Sequence, residues 1–150
     1  GGSEGWGVGA AIGAKLAAVD QPVVGFVGDG SLYYADSGIW TAVHHNIPVL
    51  YIITNNRAYG IVAGFFEEAD GRMSDTGKYG GVVLEGMDPV KIAEAFGMEA
   101  ESVDDESKVT DAVRRGLNIV NKENRPYLIE FKLPIGLPEG GVADQQYRMR

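Results

Sequence analysis

The sequence predicts an α/β fold: an open, mainly parallel sheet with helices on both faces. Two short, nearly continuous apolar runs, Val23 to Val27 and Val49 to Thr54, read as parallel strands buried on both sides. The stretch between them has the length of the helix in one βαβ unit. Strands and helices then keep alternating as far as the run Tyr127 to Leu133, the pattern of a parallel sheet whose crossovers cover its faces.

The first helix is expected from Gly5 to Val19, with Ala10, Ala11, Ala14, Ala17 and Ala18 allowing close packing. Pro22 opens the first strand. Gly28-Asp29-Gly30 turns the chain, and Ser31 is expected to cap a helix running to about His45. Pro48 opens the second strand, which ends at Asn55-Asn56. From Gly64 to Gly86 the sequence is Gly-rich and mixed in charge, and reads as a long loop with at most one short helix. Loops of that length in a compact domain are often functional lids or partner contacts.

Order returns with Asp88-Pro89, an N-cap followed by Pro at the first helical position, for a helix to about Phe96. A short strand follows near Glu99 to Ser102, then an amphipathic helix from about Ser107 to Asn121, then the last strand. Residues 1–133 are expected to form one domain. The tail from Pro134 to Arg150 holds two Pro and three Gly and should be extended. A Gly-rich turn leads straight into the first helix with no strand before it, so the sheet is expected to lack its N-terminal edge. The chain then reads as a piece of a larger polypeptide or one subunit of a split enzyme.

Composition narrows the partners. The 150 residues carry a net charge of −8, which argues against nucleic acid, since phosphate backbones need a basic surface. A phosphorylated ligand on such an acidic domain needs a cation beside it. No apolar run is long enough to span a bilayer. With no Cys, disulfides and thiolate zinc sites are excluded, and the composition fits a reducing cytoplasm. Many of the 22 Gly residues cluster near the start and around positions 60 to 81, where they mark tight turns or backbone close to a ligand.

In an open α/β sheet, ligands sit beyond the carboxyl ends of the strands. Two such ends here carry polar residues, Gly28-Asp29-Gly30-Ser31 and Asn55-Asn56-Arg57-Ala58-Tyr59-Gly60. If the strands are neighbours, Asp29 offers a carboxylate oxygen and Asn56 an amide oxygen to one crevice. The Ala58 carbonyl would complete a set of three hard donors. Mg²⁺ takes six oxygens and is usually bound by few carboxylates plus substrate phosphates, so two diphosphate oxygens and one water would fill the shell. Gly30 lets the backbone approach a phosphate, and the amides opening the next helix face the anion. A lone Gly-Asp-Gly or Asn-Asn is usually only a turn; the two at a fixed separation are far more specific.

Gly28-Asp29-Gly30 with 24 residues between Gly30 and Asn55-Asn56 resembles the thiamine diphosphate motif. Trp40-Thr41-Ala42, Asn46-Ile47-Pro48 and Asn56-x-x-Tyr59-Gly60 sharpen the likeness. The chain resembles, over nearly its whole length, the C-terminal, pyrophosphate-binding domain of the benzoylformate decarboxylase and acetolactate synthase superfamily. The resemblance implies Mg²⁺ on Asp29, Asn56 and the Ala58 carbonyl, and diphosphate on Gly30, Ser31, Tyr59 and Gly60. It places Gly2 and Ser3 near the aminopyrimidine, and Ile61, Val62 and Phe65 along the cofactor or the substrate pocket. It also implies a 2-oxo acid substrate, a lyase, decarboxylase or carboligase reaction, and a homodimer or tetramer in the full enzyme. Bound thiamine diphosphate supplies the ylid that attacks a carbonyl carbon. The Glu that activates its pyrimidine belongs to another domain, usually on a neighbouring subunit, so this chain alone is expected to be inactive. One departure stands out: the position of the bulky apolar residue under the cofactor aligns with Glu4. Either the register differs by a residue or two, or the site is arranged differently.

Other conspicuous residues have plainer readings. His44 and His45 lie late in a helix, where a histidine interacts with the dipole. Tyr33, Tyr34 and Trp40 have the spacing of packing residues, Trp6 that of an interface, and Glu67, Glu68 and Asp70 that of a solvated face. Two rivals remain for the chain. A Rossmann-type dinucleotide domain would use Gly5-x-Gly7-x-Gly9, which lacks the preceding strand and the acidic residue that motif needs. A non-catalytic, Mg²⁺-dependent phosphate-binding or assembly module would share the same anchor.

Overall fold

A computed structural model describes residues 4–69, 71–76, 78, 80–84 and 86–134. Gly2, Ser3, Asp70 and the tail from 135 onward therefore lie outside the described residues. The chain divides into two compact units, residues 1–55 with 88–132, and residues 56–87 with 133–150.

The first unit is the predicted α/β layer structure. Its four strands, β1 (Val23–Gly28), β2 (Val49–Asn55), β3 (Ala100–Val103) and β4 (Tyr127–Lys132), lie in the order β1-β2-β4-β3. All three pairings are parallel. Alternate residues of β2 enter different cores. Val49, Tyr51 and Ile53 join the core under α1 (Trp6–Ala17), α2 (Asp29–Tyr34), α3 (Ser37–His44) and α6 (Pro89–Ala95). Leu50 and Ile52 join the core under α7 (Val109–Asn118) and the π-helical turn that follows it. A strand covered on both faces must be apolar throughout, which is why β2 was legible as a continuous run.

Close approach of helices to the sheet depends on small residues. A Cβ on Gly25 would lie 3.0 Å from Ala11 Cβ and 3.1 Å from Tyr51 Cδ1. Of the five alanines expected to permit close packing, only Ala11 is buried. The buried Tyr51 hydroxyl donates to the Val8 carbonyl at 3.1 Å, tying β2 to α1.

Three expectations are corrected. β1 is an edge strand covered on one face only, so Val24 and Phe26 are exposed rather than buried. The helix expected from Ser31 to His45 is two helices, broken at Ala35–Asp36, where Ala35 leaves helical geometry. The break lets each piece bury its own apolar residues, Leu32 from α2 and Ile39 with Ala42 from α3, in one core. Ser31 therefore stands inside α2 and caps nothing; Gly28 holds the N-cap position.

The cap predicted at Asp88 is present, its carboxylate accepting from the Lys91 amide at 3.0 Å. That bond holds the Asp88 carboxyl below its ordinary range. Asp88→Ala should cost about 1 kcal/mol at neutral pH. Because the folded value is lowered, the difference from wild type should be complete above the usual carboxylate range and vanish as pH falls through the folded value. Denaturant titrations at neutral and acid pH check both the cost and its loss.

The second unit contains α4 (Gly60–Glu68) and α5 (Arg72–Thr76), where a loop with at most one short helix was expected. An isolated antiparallel bridge pairs Ala58 with Val83. Ala58, Ala63 and Val82 form a small core with Tyr59 and Phe66 packed against it. That apolar contact, made between segments far apart in sequence, gives α4 a face to bury. Among the described residues, no helix is long and apolar enough to cross a membrane.

Candidate functional site

In the first unit, Gly28 pairs with Thr54, so the chain leaves β1 into Asp29 at the same edge of the sheet where β2 ends at Asn55. This is the carboxyl edge, where ligands bind in parallel sheets. Asp29, the first residue of α2, is 3% exposed, and Asn55 is 4% exposed. Buried polar side chains at a strand end are costly unless something satisfies them. Gly30 is buried next to Asp29, and Ser31 is half-buried one residue further.

Ser31 Oγ donates to Glu4 Oε2 at 3.1 Å. A serine hydroxyl has one proton to give, and here Glu4 accepts it. Sequence reasoning flagged Glu4 only as an anomaly. Its partner could not be found from the sequence, because 27 residues separate the two. The first turn of α1 is held by Gly5, whose φ of 81° is left-handed and whose Cβ position is blocked by Tyr34 Cβ at 2.9 Å.

Asn55 Nδ2 donates to Glu130 Oε1 at 2.5 Å, between side chains that are both almost fully buried. Here a signal was available: Glu130 is a lone acid inside the apolar strand Tyr-Leu-Ile-Glu-Phe. A charge in a strand that the sheet buries on both faces requires a partner.

In the second unit, the chain makes a tight turn directly after β2. Asn56 Oδ1 accepts from the Ala58 amide at 3.1 Å, and Arg57 between them has a left-handed φ of 60°. That conformation is uncommon for a residue with a long side chain and tends to mark functional backbone. The flanking groups are engaged: Leu84 N–H donates to the Arg57 carbonyl and Tyr59 N–H to the Val82 carbonyl, both at 2.8 Å. Ala58, between them, is the pair member whose own N–H and C=O point away from the opposing strand. Among the described residues, no backbone hydrogen bond reaches the Ala58 carbonyl, although Ala58 is only 5% exposed.

Carboxylate and amide oxygens are hard donors of the kind divalent cations take. In the first unit Asp29 carries a carboxylate; in the second, Asn56 has an amide oxygen with a second lone pair beyond the Ala58 bond. The Tyr59 amide is already engaged by the Val82 carbonyl. α4 begins at Gly60, so first-turn amides, which lack carbonyl partners within their helix, open where the turn ends. Ile61, Val62 and Phe65 are exposed along α4.

His44 ends α3, His45 follows it, and the Trp40 ring stacks on His44 at 4.6 Å, as a helix-end packing group. Trp6 is largely exposed. Glu67 and Glu68 close α4.

Residues 1–131 match the family described as thiamine pyrophosphate enzyme, C-terminal TPP binding domain. The chain belongs to that family. Its cofactor is accordingly thiamine diphosphate. The benzoylformate decarboxylase of Pseudomonas aeruginosa is 33% identical over 132 residues, which make up 86% of this chain and 23% of that protein. The acetolactate synthase of Bacillus subtilis is 31% identical over 108 residues, 72% of this chain and 18% of that protein. Among solved structures, a thiamine diphosphate-dependent 4-hydroxybenzoylformate decarboxylase of Rhodococcus jostii RHA1 superposes with a TM-score of 0.74 at 35% identity. The match covers 87% of this chain and 23% of that one. The chain thus spans about a quarter or less of the length of these relatives. The match also excludes the Rossmann-type reading, since Gly5, Gly7 and Gly9 fall within the matched domain.

Proposed function

We propose that this domain anchors thiamine diphosphate through Mg²⁺ in a 2-oxo acid decarboxylase, lyase or carboligase. In this reading, Asp29, Asn56 and the Ala58 carbonyl hold the metal. Gly30, Ser31, Tyr59 and Gly60 receive the diphosphate, and Gly2 and Ser3 flank the aminopyrimidine. Ile61 lies along the cofactor, and Val62 and Phe65 reach the substrate pocket. The observation that carries the metal assignment is the carbonyl of the buried residue Ala58, left without a backbone partner among the described residues beside the Asn56 turn. A polar group in that position is costly without a ligand.

The activating Glu and part of the substrate pocket belong to a pyrimidine-binding domain or subunit, within a dimeric or tetrameric cytoplasmic enzyme. The reaction class rests on relatives that include a benzoylformate decarboxylase and an acetolactate synthase.

Calorimetry tests the anchor. Thiamine diphosphate with Mg²⁺ should bind, and chelating the metal should abolish binding. Equal affinity for inorganic diphosphate would replace the enzyme reading with that of a phosphate-binding module; binding of NAD alone would overturn the anchor altogether. The purified 150-residue chain should show no turnover of 2-oxo acids. Measurable decarboxylation or ligation by it would refute the need for a second domain.

A further inference from the structure

We infer that Glu130 is a positioning residue for the metal-binding turn, acting through Asn55. The inference rests on the Mg²⁺ reading above and adds to it a residue from the far side of the sheet's centre. Glu130 lies on β4 opposite Ile53, two residues short of the level of Asn55, which pairs with Lys132. In parallel neighbours that spacing puts Glu130 and Asn55 on one face of the sheet. There the Asn55 Nδ2 donates to Glu130 Oε1 at 2.5 Å, with Glu130 3% and Asn55 4% exposed.

Three features make this more than core filling. The bond joins a carboxylate to an amide inside an otherwise apolar layer, where a leucine at 130 would match its neighbours Leu128 and Ile129. Asn55 is the last residue of β2, and Asn56 follows it in the chain. The bond fixes which way the Asn55 amide faces: with Nδ2 turned to Glu130, Oδ1 must face away from it. A hydrogen bond between two buried side chains in a low-dielectric setting is strongly oriented. It therefore holds the final residue of the strand against rotation, and with it the start of the turn that presents Asn56 Oδ1 and the Ala58 carbonyl. Partners one step removed from metal ligands commonly act in this way.

The clamp and general stability are separable by experiment. In the full-length protein, Mn²⁺ affinity in the presence of thiamine diphosphate is read by electron paramagnetic resonance, at a temperature where circular dichroism shows each variant folded. Glu130→Leu should weaken Mn²⁺ binding by about 10- to 100-fold. Glu130→Gln, which keeps an acceptor oxygen, should restore most of it. Asn55→Asp should lose affinity by setting two carboxylates together, and the double variant Asn55→Asp with Glu130→Gln should regain it by reversing donor and acceptor.

If Glu130→Leu fails to fold, the Asn55→Asp series still decides the matter. Wild-type affinity in Glu130→Leu or Asn55→Asp, or a double variant no better than Asn55→Asp alone, overturns the clamp. Asp29→Asn is the control for the underlying site. If it binds Mn²⁺ as wild type does, the metal assignment itself fails, whatever the Glu130 variants show.

Discussion

Asp29→Ala should abolish Mg²⁺-dependent binding of thiamine diphosphate while leaving the fold in place. Asp29 is the one carboxylate of the proposed donor set, and the other two donors are neutral oxygens. Its loss removes the only formal charge the protein places on the metal. On a domain with a net charge of −8, the diphosphate then meets the surface with no adequately held cation beside it. The decrease in affinity should exceed the roughly 10- to 100-fold typical of changes one step removed from a metal. Asp29→Asn retains an oxygen and should fall between wild type and alanine. Asp29 is buried at the start of α2 and engaged within the protein, so the thermal midpoint without ligand must be read beside the affinity. Calorimetry with and without Mg²⁺, beside unliganded melting curves, measures both quantities. Unchanged affinity would remove Asp29 from the site.

The second large effect is expected from Gly5→Val, and it is an effect on folding. Gly5 precedes α1 with a φ of 81°, a region a β-branched residue enters only under strain. Space is lacking as well: a Cβ there would lie 2.9 Å from Tyr34 Cβ and 3.1 Å from Ala35 Cβ. Those atoms are fixed to backbone at the end of α2, so no rotamer change relieves the contact. Left-handed strain of about 1–2 kcal/mol and overpacking of about 1–3 kcal/mol together predict a loss of about 2–5 kcal/mol. Gly5→Ala should cost less, because it adds one methyl at the same strained φ. Chemical denaturation gives the numbers. A variant as stable as wild type would show that the α1–α2 contact relaxes freely.

These expectations came from different places. Asp29 was legible because a Gly-Asp-Gly turn after an apolar run, with Asn-Asn at a fixed later position, is a local pattern tied to two strand ends. The break between α2 and α3 was not legible. The apolar residues Leu32, Ile39 and Ala42 can be read on a continuous helix, and only their burial in one core decides that the chain bends at Ala35. The exposure of Val24 and Phe26 was hidden for a similar reason. A strand's apolar run records what its faces can accept, and the position of the strand in the sheet determines what covers them.

The sequence by itself determined the α/β alternation, the strands of the parallel sheet, the Asp88 cap and the motif of the thiamine diphosphate family. Each of these is written in residues near one another along the chain, through periodicity, turn chemistry or fixed spacing. Tertiary structure alone decided that Ser31 bonds Glu4, that Asn55 bonds Glu130 across 75 residues, and that the Ala58 bridge to Val83 bonds through Arg57 and Tyr59, not through Ala58 itself. Hydrogen bonds of this kind depend on strand register and on which side of the sheet a residue faces. A shift of one residue would send Glu130 to the opposite core and leave Asn55 without it.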